Sequence, residues 1–239
     1  MIPLLALSFV EGLLLTLAVQ DDKAADDALD AFKTAIKSAV EAERVAAVVE
    51  LSKVKHAKVL ARLTPLLTSD GTTVRLAAAK GLSEFADLRK PASSALLAAL
   101  PANAKVPAVQ AACFEALGVL REPSSLVPLH RAFEEKETAV AKAAIAASGG
   151  FRSVTSIELL LELLKKFDKL LKTEAGGSVT AGNVNGYDVA ARDDAERKRA
   201  TDLRPAVVKA LQEISGESFT AGVDWHAWWA KNRATFRGK

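Results

Sequence analysis

A nine-residue helical pattern recurs five times along this chain, and no other feature limits its possible folds as strongly. The segments Glu43–Leu51 (ERVAAVVEL), Val74–Leu82 (VRLAAAKGL), Val109–Leu117 (VQAACFEAL), Val140–Ser148 (VAKAAIAAS) and Leu203–Leu211 (LRPAVVKAL) align without gaps. Their starts lie 31, 35, 31 and 63 residues apart, the last interval being close to two units. The fourth position is always Ala (Ala46, Ala77, Ala112, Ala143, Ala206), and the fifth is Ala47, Ala78, Cys113, Ala144 or Val207. Small residues at fixed helical positions let neighbouring helices approach closely. The ninth position, Leu51, Leu82, Leu117, Ser148 or Leu211, extends an apolar stripe at the offsets of a helix face. A hairpin of thirty-odd residues cannot bury such a stripe alone, so the repeats must stack in a row.

Each segment reads as the inner helix of a hairpin whose outer helix precedes it. Outer helices are predicted over Ala28–Ala39, Ala57–Leu67, Pro91–Leu100, Ser124–Phe133 and Val154–Leu171, each with Leu, Val or Phe at three- and four-residue spacing. Ser69-Asp70-Gly71-Thr72 is a turn signal, and Pro91 and Pro123 fall near helix starts, where a missing N–H costs little. The 50% hydrophobic content is carried by Ala, Leu and Val, with only 5% aromatic residues, which favours helix over strand. The predicted fold is an all-α superhelix of about five helix pairs.

The stretch Asp70–Phe85, DGTTVRLAAAKGLSEF, resembles the second helix of a HEAT-like repeat, and weaker versions cover most of residues 28–214. The resemblance implies a right-handed superhelix with outer helices on the convex side and inner helices lining a concave face used for partner binding. The Asp/Arg ladder of many such proteins occurs together only as Asp70 and Arg75. The other equivalent Arg positions hold Arg44, Gln110, Ala141 and Arg204. Such a resemblance speaks to fold and carries no catalytic residue across.

Residues 1–18 read as a signal peptide, an apolar run ending in Thr16-Leu17-Ala18 before the polar lead-in 19–27. This points to a secreted or envelope location. The alternatives are a retained anchor over residues 1–19, the only route to a membrane here, and a packed first helix in a cytoplasmic protein. Residues 173–192, with GGSVTAGNVNGYD at Gly176–Asp188, read as an insertion loop whose Tyr187 is its best anchoring group. Residues 215–239 form a C-terminal cap. Asp224 is placed to cap a short helix on which Trp225, Trp228 and Trp229 share one face. That face either seals the end of the repeat array or offers an aromatic platform to a glycan or small ligand. A tail with Trp-Trp followed by Asn232 is similar to the endings of some secreted HEAT-repeat proteins of unassigned function.

Catalytic constellations are missing from the sequence. His56, His130 and His226 lie in different repeats, no metal or cofactor motif is present, and Cys113 reads as a small core residue. The 32 basic and 29 acidic residues are interspersed along the chain, so a net charge of +3 sets up no field for a polyanion, and nucleic acid is disfavoured. The function expected is a non-enzymatic scaffold that binds another protein through the inner helices. The candidate contact residues are Arg44, Arg75, Lys80, Gln110, Glu115, Lys209 and Tyr187. The seventh positions Val49, Lys80, Glu115, Ala146 and Lys209 are predicted to be exposed and are chemically mixed, as suits a protein surface. An enzyme or enzyme-associated subunit, and ligand binding by the Trp-rich tail, are the alternatives.

Overall fold

The computed structural model describes residues 21–172 and 186–237 and is all-α, with no strand among those residues. The chain divides into two compact units, residues 1–109 and 110–239. The first holds α1 (21–35), α2 (Glu41–Ser52), α3 (Ala57–Leu63), α4 (Leu66–Ser69), α5 (Thr72–Leu82) and α6 (Arg89–Ala99). Helix α7 (Pro107–Leu120) begins at its end. The second holds the rest of α7, then α8 (Leu126–Ala132), α9 (Thr138–Gly149), α10 (Val154–Lys172), α11 (Gly186–Ser215) and α12 (Gly222–Asn232). Every predicted inner segment is helical, on α2, α5, α7, α9 and α11. In the first unit α2 packs on α5, which α4 also covers; in the second α9 packs on α11, with α8 against α9 and α10 against α11. This is the repeat organisation of an α-solenoid within each unit.

The outer helices differ from expectation where backbone chemistry overrides the apolar period. The expected Ala57–Leu67 helix is split into α3 and α4, because Pro65 has no N–H to give the carbonyl one turn back and its ring crowds the preceding turn. Among the described residues the first outer helix covers 21–35 rather than Ala28–Ala39, so residues 21–27 of the expected polar lead-in are helical. At its far end the Ser38 hydroxyl takes the Val40 N–H at 3.0 Å, a turn that leads into α2. The insertion is also shorter than expected. Helix α11 begins at Gly186, where Gly and Asn give way to the helix formers Ala190, Ala191 and Arg192. The remainder of that loop, and the expected signal peptide at 1–18, lie outside the described residues.

Close packing of the inner helices is set by different positions from those expected. The fifth position is the buried one, with Ala78, Cys113, Ala144 and Val207 fully enclosed and Ala47 at 9%. The alanines of the fourth position form no uniform contact row: Ala46 is exposed, Ala77 and Ala112 half-buried, Ala143 and Ala206 buried. Helices meet instead where the tenth position of one repeat faces the eighth of the next. A Cβ added at Gly81 would lie 2.8 Å from Ser52 Cβ, one at Gly118 2.7 Å from Ala147 Cα, and one at Gly149 3.2 Å from Ala210 Cα. The pairs Ser52/Gly81, Gly118/Ala147 and Gly149/Ala210 thus obey one register rule. The rule also explains where bulk is allowed. Among the described residues Glu50, eighth in the first inner helix, meets no earlier one, and Gln212, tenth in the last, meets no later one.

Candidate protein-binding face

Helical geometry turns the seventh position away from the buried fifth, sixth and ninth. In the first unit Val49 and Lys80 are exposed beside fully buried Val48, Ala79 and Leu82. In the second unit Glu115, Ala146 and Lys209 are exposed beside Phe114, Ile145 and Val208, which are buried. Val49 is 45% exposed, a large apolar side chain left in solvent. All five seventh positions therefore line an accessible face of their own unit. Lys209 reaches only a loose contact with Glu213 at 3.8 Å and is otherwise solvated.

Two expected contact residues are engaged within the fold. Arg44 makes a two-pronged pair with Asp70, Nε to Oδ2 at 3.2 Å and an outer nitrogen to Oδ1 at 3.1 Å, and donates to the Ser38 carbonyl. Arg75 donates to the Asp70 carbonyl at 2.6 Å and to Asn103 Oδ1 at 3.1 Å. The carboxylate of Asp70 is thus paired with Arg44 of the preceding repeat rather than with Arg75. Burial alone would raise the Asp70 carboxyl, but hydrogen bonds from Arg44 and the Gly71 N–H, with the charges of both arginines, hold it below the usual carboxylate range. What the ion pair contributes to stability is therefore present above the ordinary carboxylate pKa and is lost as pH falls through the lowered one.

Asn103, which the sequence pattern does not single out, completes this ladder. It is fully buried, accepts from Arg75, and donates through Nδ2 to the Leu67 carbonyl at 3.0 Å and the Ala99 carbonyl at 2.8 Å. It thereby ties α4, α5 and α6 together. Asn103→Leu should strand two carbonyls and one guanidinium donor, costing about 2–3 kcal/mol. A far-UV circular dichroism melt checks this; a melt unchanged within a degree or two would show the ladder to be incidental.

Gln110 is half-buried and engaged in an interaction of its own, so it too is less available than Lys80 or Glu115. The side chain of Tyr187 lies outside the described residues. Cys113 is enclosed in the core, where burial pushes its thiol up to about 12. His130, on α8, sits 2.8 Å from the buried Ser156 hydroxyl, and burial lowers its pKa. His56 caps α3 by accepting the Lys58 N–H. No group of three or more potential metal ligands is found among the described residues, and none of their helices is long and apolar enough to cross a membrane.

The Trp-bearing helix α12 packs on α10. Trp225 is fully buried and Trp229 is 8% exposed, while Trp228 is half-buried and donates Nε1–H to Glu217 at 3.1 Å. Phe219 and Trp228 stand edge-on to Trp225 at ring distances of 5.2 and 6.0 Å. These ring faces are spent on one another, which leaves little free surface for a stacked ligand. Asp224 is not the cap: α12 starts at Gly222 with Ala221 at the N-cap and no side-chain capping bond, because the helix begins two residues earlier than its acidic residue suggested.

A family model described as HEAT repeats matches residues 29–118 and, overlapping them, 93–179. No curated protein matches the chain.

Proposed function

Since the chain belongs to the HEAT-repeat family, whose members commonly mediate protein–protein interaction, we propose that it is a non-enzymatic scaffold that holds another protein on its inner helices. The observation that carries this reading is the exposure of all five seventh positions beside buried neighbours. The contact residues are Val49 and Lys80 in the first unit and Glu115, Ala146 and Lys209 in the second. Arg44 and Arg75 act indirectly, by fixing the helices that present Val49 and Lys80. A mixed surface of Lys, Glu, Val and Ala suits a folded protein partner, with apolar contacts at the centre and charged ones at the rim.

Affinity capture from the native compartment with the wild type, Lys80→Glu and Glu115→Lys tests the proposal. A partner retained by the wild type should be lost or weakened about tenfold by either charge reversal, since each places like charge where the partner is complementary. Retention of every captured protein by both variants would exclude this face. The same preparation tests the proposed export. N-terminal sequencing should read from Val19, after cleavage behind Ala18; a sequence beginning at Met1 would contradict it.

A further inference from the structure

A second surface lies between α10 and α12. We infer that this groove binds an acidic, extended segment of a partner protein. Helix α10 buries Ile157, Leu160, Leu161, Leu164 and Phe167, and the exposed side of its second half carries Lys165, Lys166, Lys169 and Lys172. The groove has a volume of about 560 Å³ and is lined by Lys165, Lys169, Lys172 and His226 around Gly222 and Val223. Its lining contains one carboxylate, Asp168. That carboxylate is already committed: Arg204 Nε holds Oδ1 at 2.7 Å, and a Cβ on Gly222 would fall 2.1 Å from Oδ2. Asp168 thus belongs to the joint between α10, α11 and α12.

Lys165 and Lys172 hold no ion pair among the described residues. Lys165, Lys169 and Lys172 outnumber the one lining carboxylate, which Arg204 binds, so the lining is net positive and complementary to an anionic partner. Over the seven residues from Lys165 to Lys172 the helix rises about 10 Å. Alternate residues of a strand-like segment lie about 7 Å apart on one face, a span that the flexible four-carbon stems of the two lysines can close up to meet. Val223, 74% exposed in the same groove, offers an apolar contact for a residue between them. One isolated valine is too little apolar surface to insert in a bilayer. The groove lining includes no aromatic side chain other than His226 on which bases could stack.

Fluorescence anisotropy of a fluorescein-labelled peptide of alternating Asp and Leu, titrated with the full chain, tests the inference. Binding should weaken with added salt and fall at least about tenfold in Lys165→Glu/Lys172→Glu. A Lys/Leu peptide should not bind. Lys80→Glu should bind the acidic peptide as the wild type does, which separates this groove from the inner-helix face. Equal binding by wild type and double variant, or no binding by either, would overturn the proposal. So would capture of phosphatidylglycerol vesicles without capture of the peptide, or salt-sensitive self-association in sedimentation that persists while the peptide is ignored. If the charge reversal disturbs the helical spectrum, Lys165→Gln/Lys172→Gln must show the same direction of effect.

Discussion

Gly118→Val should destabilise the second unit by about 3 kcal/mol or more, and Gly118→Ala should destabilise it as well, although alanine is the better helix former by about 1 kcal/mol. The reversal of the ordinary preference is the diagnostic. At Gly118 a Cβ would stand 2.7 Å from both Cα and Cβ of Ala147, so it meets backbone that cannot swing aside as a side chain would. Helices α7 and α9 would have to separate at that approach, beside the buried Leu117 and Ser148. Valine extends the same collision by two methyl groups and adds the χ1 restriction of a branched residue. Val119→Ala, on the same helix with its side chain 63% exposed, is the control and should change stability by no more than about 0.5 kcal/mol. Urea unfolding followed by indole fluorescence is the measurement, since all three Trp lie in this unit. An Ala variant as stable as the wild type would mean that the inner helices do not meet in the register described.

Trp225→Ala should cost about 3–5 kcal/mol in the same assay, the range for emptying a fully buried large aromatic site. Phe219 and Trp228 would lose an edge-to-face partner, and α12 would lose its main buried contact. Trp225→Phe should be far milder. The indole Nε1–H is buried without a hydrogen-bond partner, so phenylalanine retains much of the ring contact while relieving an unsatisfied donor that costs about 1–3 kcal/mol. A Trp225→Ala variant within 1 kcal/mol of wild type would show that α12 is peripheral to the stability of the unit.

The inner helices were legible in the sequence because burial repeats there with a constant spacing, and a stripe at the fifth, sixth and ninth positions survives substitution of Ala by Cys or Val. The exposed seventh positions follow from the same geometry. Legibility failed where one residue decides. Pro65 breaks a helix whose apolar period continues past it, and the invariant alanine at the fourth position drew attention from the small residues at the eighth and tenth that set helix separation. That second signal is visible once the contact is known, because Glu50 and Gln212 break it only at the ends of the array. Asn103 could not be recognised from pattern. It precedes its inner helix by a different interval from Asp70, and its role depends on the carbonyls of Leu67 and Ala99, which only folding brings to it. Arg44 and Arg75 looked available for a partner because a guanidinium in sequence reveals nothing of who has claimed it. The basic groove was hidden for a related reason: three lysines on one helix look like a solvated face until the sole lining carboxylate is seen to be bound to Arg204.

Site-specific photo-crosslinking with the captured partner tests most directly whether the inner helices are the binding face. A benzophenone side chain placed singly at Val49, Lys80, Glu115, Ala146 and Lys209 should crosslink the partner, whereas the same group at Arg62 on α3 or Val127 on α8, both solvent-accessible outer-helix positions, should not. Crosslinks from Arg62 and Val127 with none from the seventh positions would contradict the account.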